Sequence, residues 1–209
     1  MLEHLRAHWT KVMSPPAKLL LRLHVTPDMV TWTGTIGVVI VSVLFFPQGW
    51  LWQGAILLGF LVVSDSLDGI MARTSGRSSD WGAFLDSCLD RIADGAVFGG
   101  IALYYVGKDA NTVWATLAIA ALIFGQVTSY TKARGESLGY TVNGGLAGRA
   151  DRLLVGLIGV LFTGLGVTMA LPVCLVILAV AGAITVGQRM VLVHKATTAR
   201  ARATADEAQ

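Results

Sequence analysis

Residues 30–46 and 172–186 carry no charged side chain, and further apolar residues border both runs. Stretches of this kind approach the roughly 20 residues that a helix needs to cross a hydrocarbon core. Soluble domains are about 25% charged; this chain is 14% charged and 54% apolar, with a mean hydropathy of +0.65. We therefore read its 209 residues as one all-α, polytopic membrane domain. Cys88 and Cys174 fall in different apolar runs without CxxC or zinc-like spacing, so they read as small core residues. Glu3, His4, Arg6, His8 and Lys11 precede any long apolar run, which is not the pattern of a cleavable signal peptide.

Residues 2–23 are too polar to span. Leu2, Leu5, Trp9, Val12 and Met13 recur near helical spacing between basic residues, and Pro15 and Pro16 interrupt them. That pattern predicts a helix lying on the membrane surface. Thr26-Pro27-Asp28 is a helix start, with a capping threonine and proline at the first position. Six spans are expected, near 29–46, 51–72, 81–106, 112–131, 153–167 and 172–192. A polar loop with Gly144, Gly145 and Gly148 lies within 132–151, and the tail from His194 is polar and expected to fray. The resulting division is an amphipathic juxtamembrane segment at 1–25, a six-helix domain at 26–194 and a polar C-terminal tail at 195–209.

In a six-span chain, Arg6, Lys11, Lys18, Arg22, Arg73, Arg77, Lys132, Arg134, Arg149, Arg152, Lys195, Arg200 and Arg202 all fall on one side. The other side holds only Lys108. Basic loops stay in the cytoplasm, so both termini are expected on the cytoplasmic side of the membrane.

Residues 65–90 place four acids at the ends of two apolar segments: Asp65 and Asp68 at i,i+3, Asp86 and Asp90 at i,i+4. Each pair shares a helix face. A short turn of Gly76, Arg77, Ser78 and Ser79 joins the segments, so the two helices are expected to pack antiparallel with their acids facing. An acid at membrane depth costs at least ~2.5 kcal/mol on insertion scales. Four together repel, so protons or cations must hold them. Clustered carboxylate oxygens suit a hard divalent ion, which in turn holds phosphates. The bland alternative is a set of solvated acids at helix ends. Asp94, one turn beyond Asp90 and near Arg91, either extends the acidic face or forms a structural ion pair.

The stretch can be written Asp65-xx-Asp68-Gly69-xx-Ala72-Arg73, eight residues, Gly82-xxx-Asp86-xxx-Asp90. In this form it resembles the signature of the CDP-alcohol phosphotransferases, membrane enzymes that join an alcohol to the phosphatidyl group of CDP-diacylglycerol. The resemblance extends to the span layout and covers nearly the whole chain. It implies metal ligation by Asp65, Asp68, Asp86 and Asp90, two ions of Mg²⁺ or Mn²⁺, and Asp90 as general base. It also implies CDP-diacylglycerol binding by Asp28, Met29, Val30, Thr31, Gly69, Arg73 and Ser79, and a homodimer. In the plainer reading, residues 28–31 only cap a helix. No nucleic-acid partner is expected.

Lys132, Arg134, Arg149, Arg152 and Arg189 come from three different spans and suit a dianionic, phosphorylated acceptor. Anchoring to lipid headgroups is the rival role for such residues. The segments SYTKAR and RADR and the glycine loop between them look like the bacterial phosphatidylinositol phosphate synthases. In that subfamily the acceptor is inositol 1-phosphate (1D-myo-inositol 3-phosphate), and the positions of Lys132, Arg152 and Arg189 hold its phosphate. A phosphatidylglycerophosphate synthase would need similar cations for glycerol 3-phosphate. A cation transporter or a lipid-binding scaffold are the rivals from other classes. The first would show broken helices and inverted repeats, which are not seen, and the second has no need of the acidic pattern.

The four acids predict metal dependence. Excess EDTA should abolish turnover by the purified protein, and added Mg²⁺ or Mn²⁺ should restore it; full turnover in the chelator would reject the metal assignment.

Overall fold

The structure, a computed structural model, describes residues 13–75, 79–146 and 148–207, without the side chains of 63–66, 68, 75, 203–205 and 207. Leu2, Leu5, Trp9 and Val12 of the expected surface helix lie outside the described residues, as do Gly76, Arg77 and Ser78 of the turn. For Asp65 and Asp68 the helical backbone alone is described.

All the regular structure described is helical: α1 at 13–22, α2 Pro27–Phe45, α3 Leu51–Ser75, α4 Asp80–Gly107, α5 Thr112–Ser137, α6 Arg149–Gly164 and α7 Ala170–Glu207. Local chemistry sets the starts. The Thr26 hydroxyl accepts the Met29 N–H at 3.2 Å, with Pro27 at the first helical position. Ser79 caps α4 by accepting the Gly82 N–H, and Asn111 caps α5 by accepting the Trp114 N–H. At α6 the Asp151 carboxylate accepts the Gly148 N–H at 2.9 Å.

Two sequence expectations give way here. Residues 13–22 are helical with Pro15 and Pro16 included, since the fixed φ of proline is itself helical. The C-terminal tail does not fray at His194: α7 continues to Glu207, and the Thr197 and Thr198 hydroxyls donate to the His194 carbonyl. Residues 195–207 are rich in alanine and arginine and contain no glycine or proline, so nothing local stops the helix.

The long helices form a ring in the order α2, α4, α5, α7, α6, α3, with α3 closing back onto α2. Phe46, Leu58, Ile101, Tyr105, Val160, Leu171 and Leu175 fill its middle. A second small core, Ala17 with Ile70 and Met71, seats α1 against the end of α3, beside Val30. The expected direct packing of α3 on α4 does not form an extensive interface among the described residues; each packs mainly on α2. Gly100 explains the α2–α4 contact: a Cβ there would collide with the Ser42 carbonyl oxygen, so only glycine lets the two backbones come this close.

Among the described residues three helices are long and apolar enough to cross a membrane, Pro27–Phe45, Thr112–Ser137 and Ala170–Arg202, and Leu51–Val62 is a shorter apolar helix. α4 carries Asp86, Asp90, Arg91 and Asp94, and α6 has only 16 residues, so neither qualifies by composition and length alone. Trp32, Ile36, Ile40 and Leu44 repeat every fourth residue on α2, each about half exposed. An outer face of this kind is a liability in water and suits lipid.

The close helix approach makes a stability prediction. Gly100→Ala should destabilise by about 1–3 kcal/mol, read as a lower unfolding midpoint in detergent. Gly99→Ala, whose Cβ would meet nothing within 4 Å, is the control and should leave the midpoint unchanged.

Candidate active site

A cleft of about 220 Å³ opens where the first turn of α2, the last turns of α3 and the first two turns of α4 meet. Asp28 and Thr31 line it from α2, Gly69 and Arg73 from α3, and Ser79, Gly82 and Asp86 from the start of α4. Two helix N-termini therefore face one cavity, and their free N–H groups favour an anion. A Cβ on Gly82 would stand 3.4 Å from Ser79 Oγ and 3.9 Å from Asp28 Oδ1, so the glycine keeps the space between them open. A Cβ on Gly69 would lie 3.5 Å from Arg73 Nη1, which places the guanidinium back over Gly69. Asp28, Thr31, Gly69, Arg73 and Ser79 thus come together with Asp86 as the sequence suggested. Met29 and Val30 do not: Met29 is exposed, and Val30 packs beside Ile70 and Met71.

Asp86 opens on this cleft, and Asp90 follows one turn later on α4. Among the described residues no three or more His, Cys, Asp or Glu side chains gather as a metal site. The residues nonetheless fit a hard cation by type. The acids are carboxylates without nitrogen or sulfur ligands among them, and Gly69, next to Asp68 in sequence, shares the cleft wall with Asp86.

Beyond Asp90 lies a network of ions. Arg149 donates from Nη1 to Asp90 Oδ1 at 2.8 Å, and its Nε stands 3.4 Å from Asp94 Oδ1. Arg152 Nη2 lies 3.7 Å from Asp94 Oδ2. The Asp94 and Arg152 side chains are 5% and 3% exposed, so neither charge has water to fall back on. Asp94 is therefore ion-paired, the second of its two readings. Arg152 also donates to Ser129 Oγ at 3.5 Å, and its stem passes Gly125, where a Cβ would stand 3.1 Å from its Nε. A cavity of about 20 Å³ lies next to Asp90 and Arg149 among Val38, Leu58, Leu61 and Leu153, and such a space has room for about one water.

Arg189 donates from Nε to the Gly144 carbonyl at 3.1 Å and from Nη1 to the Thr128 carbonyl. Thr185 Oγ1 accepts the Leu146 N–H at 3.0 Å. Together these two side chains of α7 pin the glycine loop that leads into α6. Gly145 has φ +123°, and a Cβ there would also strike the Thr185 methyl, so this turn requires glycine. Arg149 and Arg189 both lie close enough to Arg152 for their charges to act on it. Lys132 is exposed and pairs with Glu136 at 3.8 Å, and Glu136 in turn acts on Arg189. Arg134 is exposed, with its Nη1 3.4 Å from Ser137 Oγ. Of the five expected acceptor cations, Arg149 and Arg152 meet at Asp94, Arg189 lies near them on the glycine loop and Thr128, and Lys132 and Arg134 are exposed.

Arg91 was not singled out from the sequence as a site residue. It lies 3.5 Å from Asp90 Oδ2, and its carbonyl accepts from Gln126 Nε2 at 2.9 Å, which ties α4 to α5 beside the acids. Its place directly after Asp90 was the available signal.

The model of the CDP-alcohol phosphatidyltransferase family matches residues 24–139. The phosphatidylinositol phosphate synthase of Cutibacterium acnes is 54% identical over 204 residues, which cover 94% of this chain and 99% of that protein. That of Streptomyces avermitilis is 46% identical, covering 98% of this chain and 87% of that one. Among solved structures, the phosphatidylinositol phosphate synthase of Mycobacterium tuberculosis with CDP-DAG bound superposes with a TM-score of 0.84 at 38% identity, covering 88% of this chain and 94% of that one. The same enzyme in complex with manganese and citrate gives a TM-score of 0.82 at 39% identity, covering 87% and 88%.

The burial difference between the cations predicts unequal effects on stability. Arg152→Gln strips a buried carboxylate of a partner and should destabilise by about 3 kcal/mol. Lys132→Gln breaks an exposed i,i+4 pair and should cost less than about 1 kcal/mol. Unfolding of both variants in detergent checks this; equal small effects would mean that the Asp94–Arg152 pair is solvated.

Proposed function

The chain belongs to the CDP-alcohol phosphatidyltransferase family, and from that membership we propose that it transfers the phosphatidyl group of CDP-diacylglycerol to inositol 1-phosphate (1D-myo-inositol 3-phosphate), giving phosphatidylinositol phosphate and CMP. The observation that carries this is the adjacency on α4 of two half-sites. One is a cleft at two helix N-termini with Arg73 on its wall, which suits a pyrophosphate. The other is a group of buried or partly buried arginines, which suits a second, separate phosphate.

Asp28, Thr31, Gly69, Arg73 and Ser79 hold the cytidine diphosphate end of the donor, with Gly69 and Gly82 leaving it room. Arg149, Arg152 and Arg189 hold the acceptor phosphate, with Lys132 at the rim. Held there, the acceptor brings a hydroxyl to Asp90. Asp90 takes the hydroxyl proton as the oxygen attacks the β-phosphorus, the bond from that phosphorus to the CMP oxygen breaks, and CMP leaves with the electron pair. Asp65, Asp68, Asp86 and Asp90 would hold two divalent ions, Mg²⁺ or Mn²⁺, which stabilise the charge that develops on the pyrophosphate oxygens. Arg149 contacts Asp90 Oδ1, which places one of the acceptor-phosphate cations directly beside the proposed base.

The same proposal includes the membrane layout. α2 to α7 are six spans, with both termini and the site on the cytoplasmic side of a bacterial cytoplasmic membrane. The lopsided distribution of Lys and Arg supports this orientation. Residues 1–25 form the juxtamembrane segment, 26–194 the catalytic domain and 195–209 a polar extension, and the enzyme works as a homodimer.

Purified protein given labelled CDP-diacylglycerol should make phosphatidylinositol phosphate with inositol 1-phosphate and release CMP, and Asp90→Asn should lose most of that turnover while still binding the donor. Faster turnover with glycerol 3-phosphate would make it a phosphatidylglycerophosphate synthase instead. Near wild-type turnover in Asp90→Asn would remove Asp90 from the chemistry.

A further inference from the structure

Asp94 has no part in the reaction as described, yet it is among the most buried charges in the protein, with its residue 3% exposed. It sits one turn past Asp90 on α4, and both its partners come from the first turn of α6. Among the described residues α4 and α6 have no extended backbone interface. The two arginines cross the gap between them, and Asp94 is what they reach. The geometry is uneven. Arg149 is held at 2.8 Å by Asp90 and only at 3.4 Å by Asp94, where Asp94 Oδ1 accepts no hydrogen bond of good geometry. Arg152 has Asp94 as its carboxylate partner and the Ser129 hydroxyl beside it.

Resting on the acceptor reading above, we infer that Asp94 is a positioning residue for acceptor binding: it fixes Arg149 and Arg152 as one phosphate-binding pair. Arg149 contacts both Asp90 and Asp94, and Arg152 contacts Asp94, so Asp94 is the acid that the two arginines share. Asp94 also keeps two neighbouring guanidiniums together. Without a shared anion they would repel each other before any phosphate arrived.

The test compares wild type with Asp94→Asn, Asp94→Glu and Gly125→Ala. It reads KM for inositol 1-phosphate, KM for CDP-diacylglycerol, and competition by inorganic phosphate against the acceptor. Asp94→Asn should raise the acceptor KM and the phosphate inhibition constant together, by about tenfold or more, with the donor KM unchanged. Asp94→Glu, which keeps the charge, should recover much of the loss. Gly125→Ala pushes on Arg152 Nε with Asp94 intact and should raise the same two constants. If Asp94→Asn does not fold, the other two variants decide, and unchanged acceptor KM and phosphate inhibition in Gly125→Ala overturns the role. An Asp94→Asn protein that is less stable but binds acceptor and phosphate normally overturns it too, as does equal weakening of donor and acceptor. Wild-type protein whose acceptor is not competed by inorganic phosphate overturns the acceptor reading underneath, whereas competed wild type with an indifferent Asp94→Asn overturns only the positioning role.

Discussion

A charge sealed among apolar helices has to meet its opposite, and the pairing of Asp94 with Arg149 and Arg152 is where that requirement is met most fully. Everything around it conforms. Gly125 is bare so that the Arg152 stem has a path. Gly145 takes a left-handed turn, packed on Thr185, so that the chain can enter α6 with both arginines facing inward. Replacing such a network by apolar groups often stabilises a protein. Its presence here fits a need to keep cations beside Asp90 more than a need for stability.

The second organising feature is α2. It touches α3 and α4, lines the cleft with its first turn, and leaves an apolar stripe on its outer side. Its capped N-terminus does two jobs with one set of N–H groups: Thr26 takes one of them, and the start of the helix as a whole faces the cleft. Because α2 is interposed, Gly69 and Arg73 of α3 and Asp86 of α4 meet across a cavity that three helices share.

Local chemistry was the legible part of the sequence. The capping threonine before Pro27, the apolar runs and the spacing of the acids each depend on neighbours a few residues apart, and each appears in the fold near the expected place. The grouping of the cleft residues was legible for the same reason: Gly69, Arg73, Ser79, Gly82 and Asp86 all fall within 18 residues of chain. Ring order was not legible, because it depends on which backbones can touch, and the glycine that decides it, Gly100, looks like any other in an apolar run. The partners of Asp94 were beyond reach too, since Arg149 and Arg152 are more than fifty residues away and equally suited to lipid headgroups. Residues 195–207 misled because polarity was taken for disorder, whereas alanine and arginine are strong helix formers in water.

The ion network also has a history within each molecule. Asp94 is synthesised as part of α4, and the arginines that neutralise it arrive only after α5 and the glycine loop have been made. Asp90 has Arg91 beside it from the start, but in the proposed six-span arrangement the ribosome delivers Asp94 to the membrane some fifty residues ahead of its counterions. Until α6 follows, α4 is a reluctant lodger, and the ring cannot close because α3 awaits the same helix. Assembly of the bundle and completion of its charge balance thus become a single late event of biogenesis, set by the order of the gene.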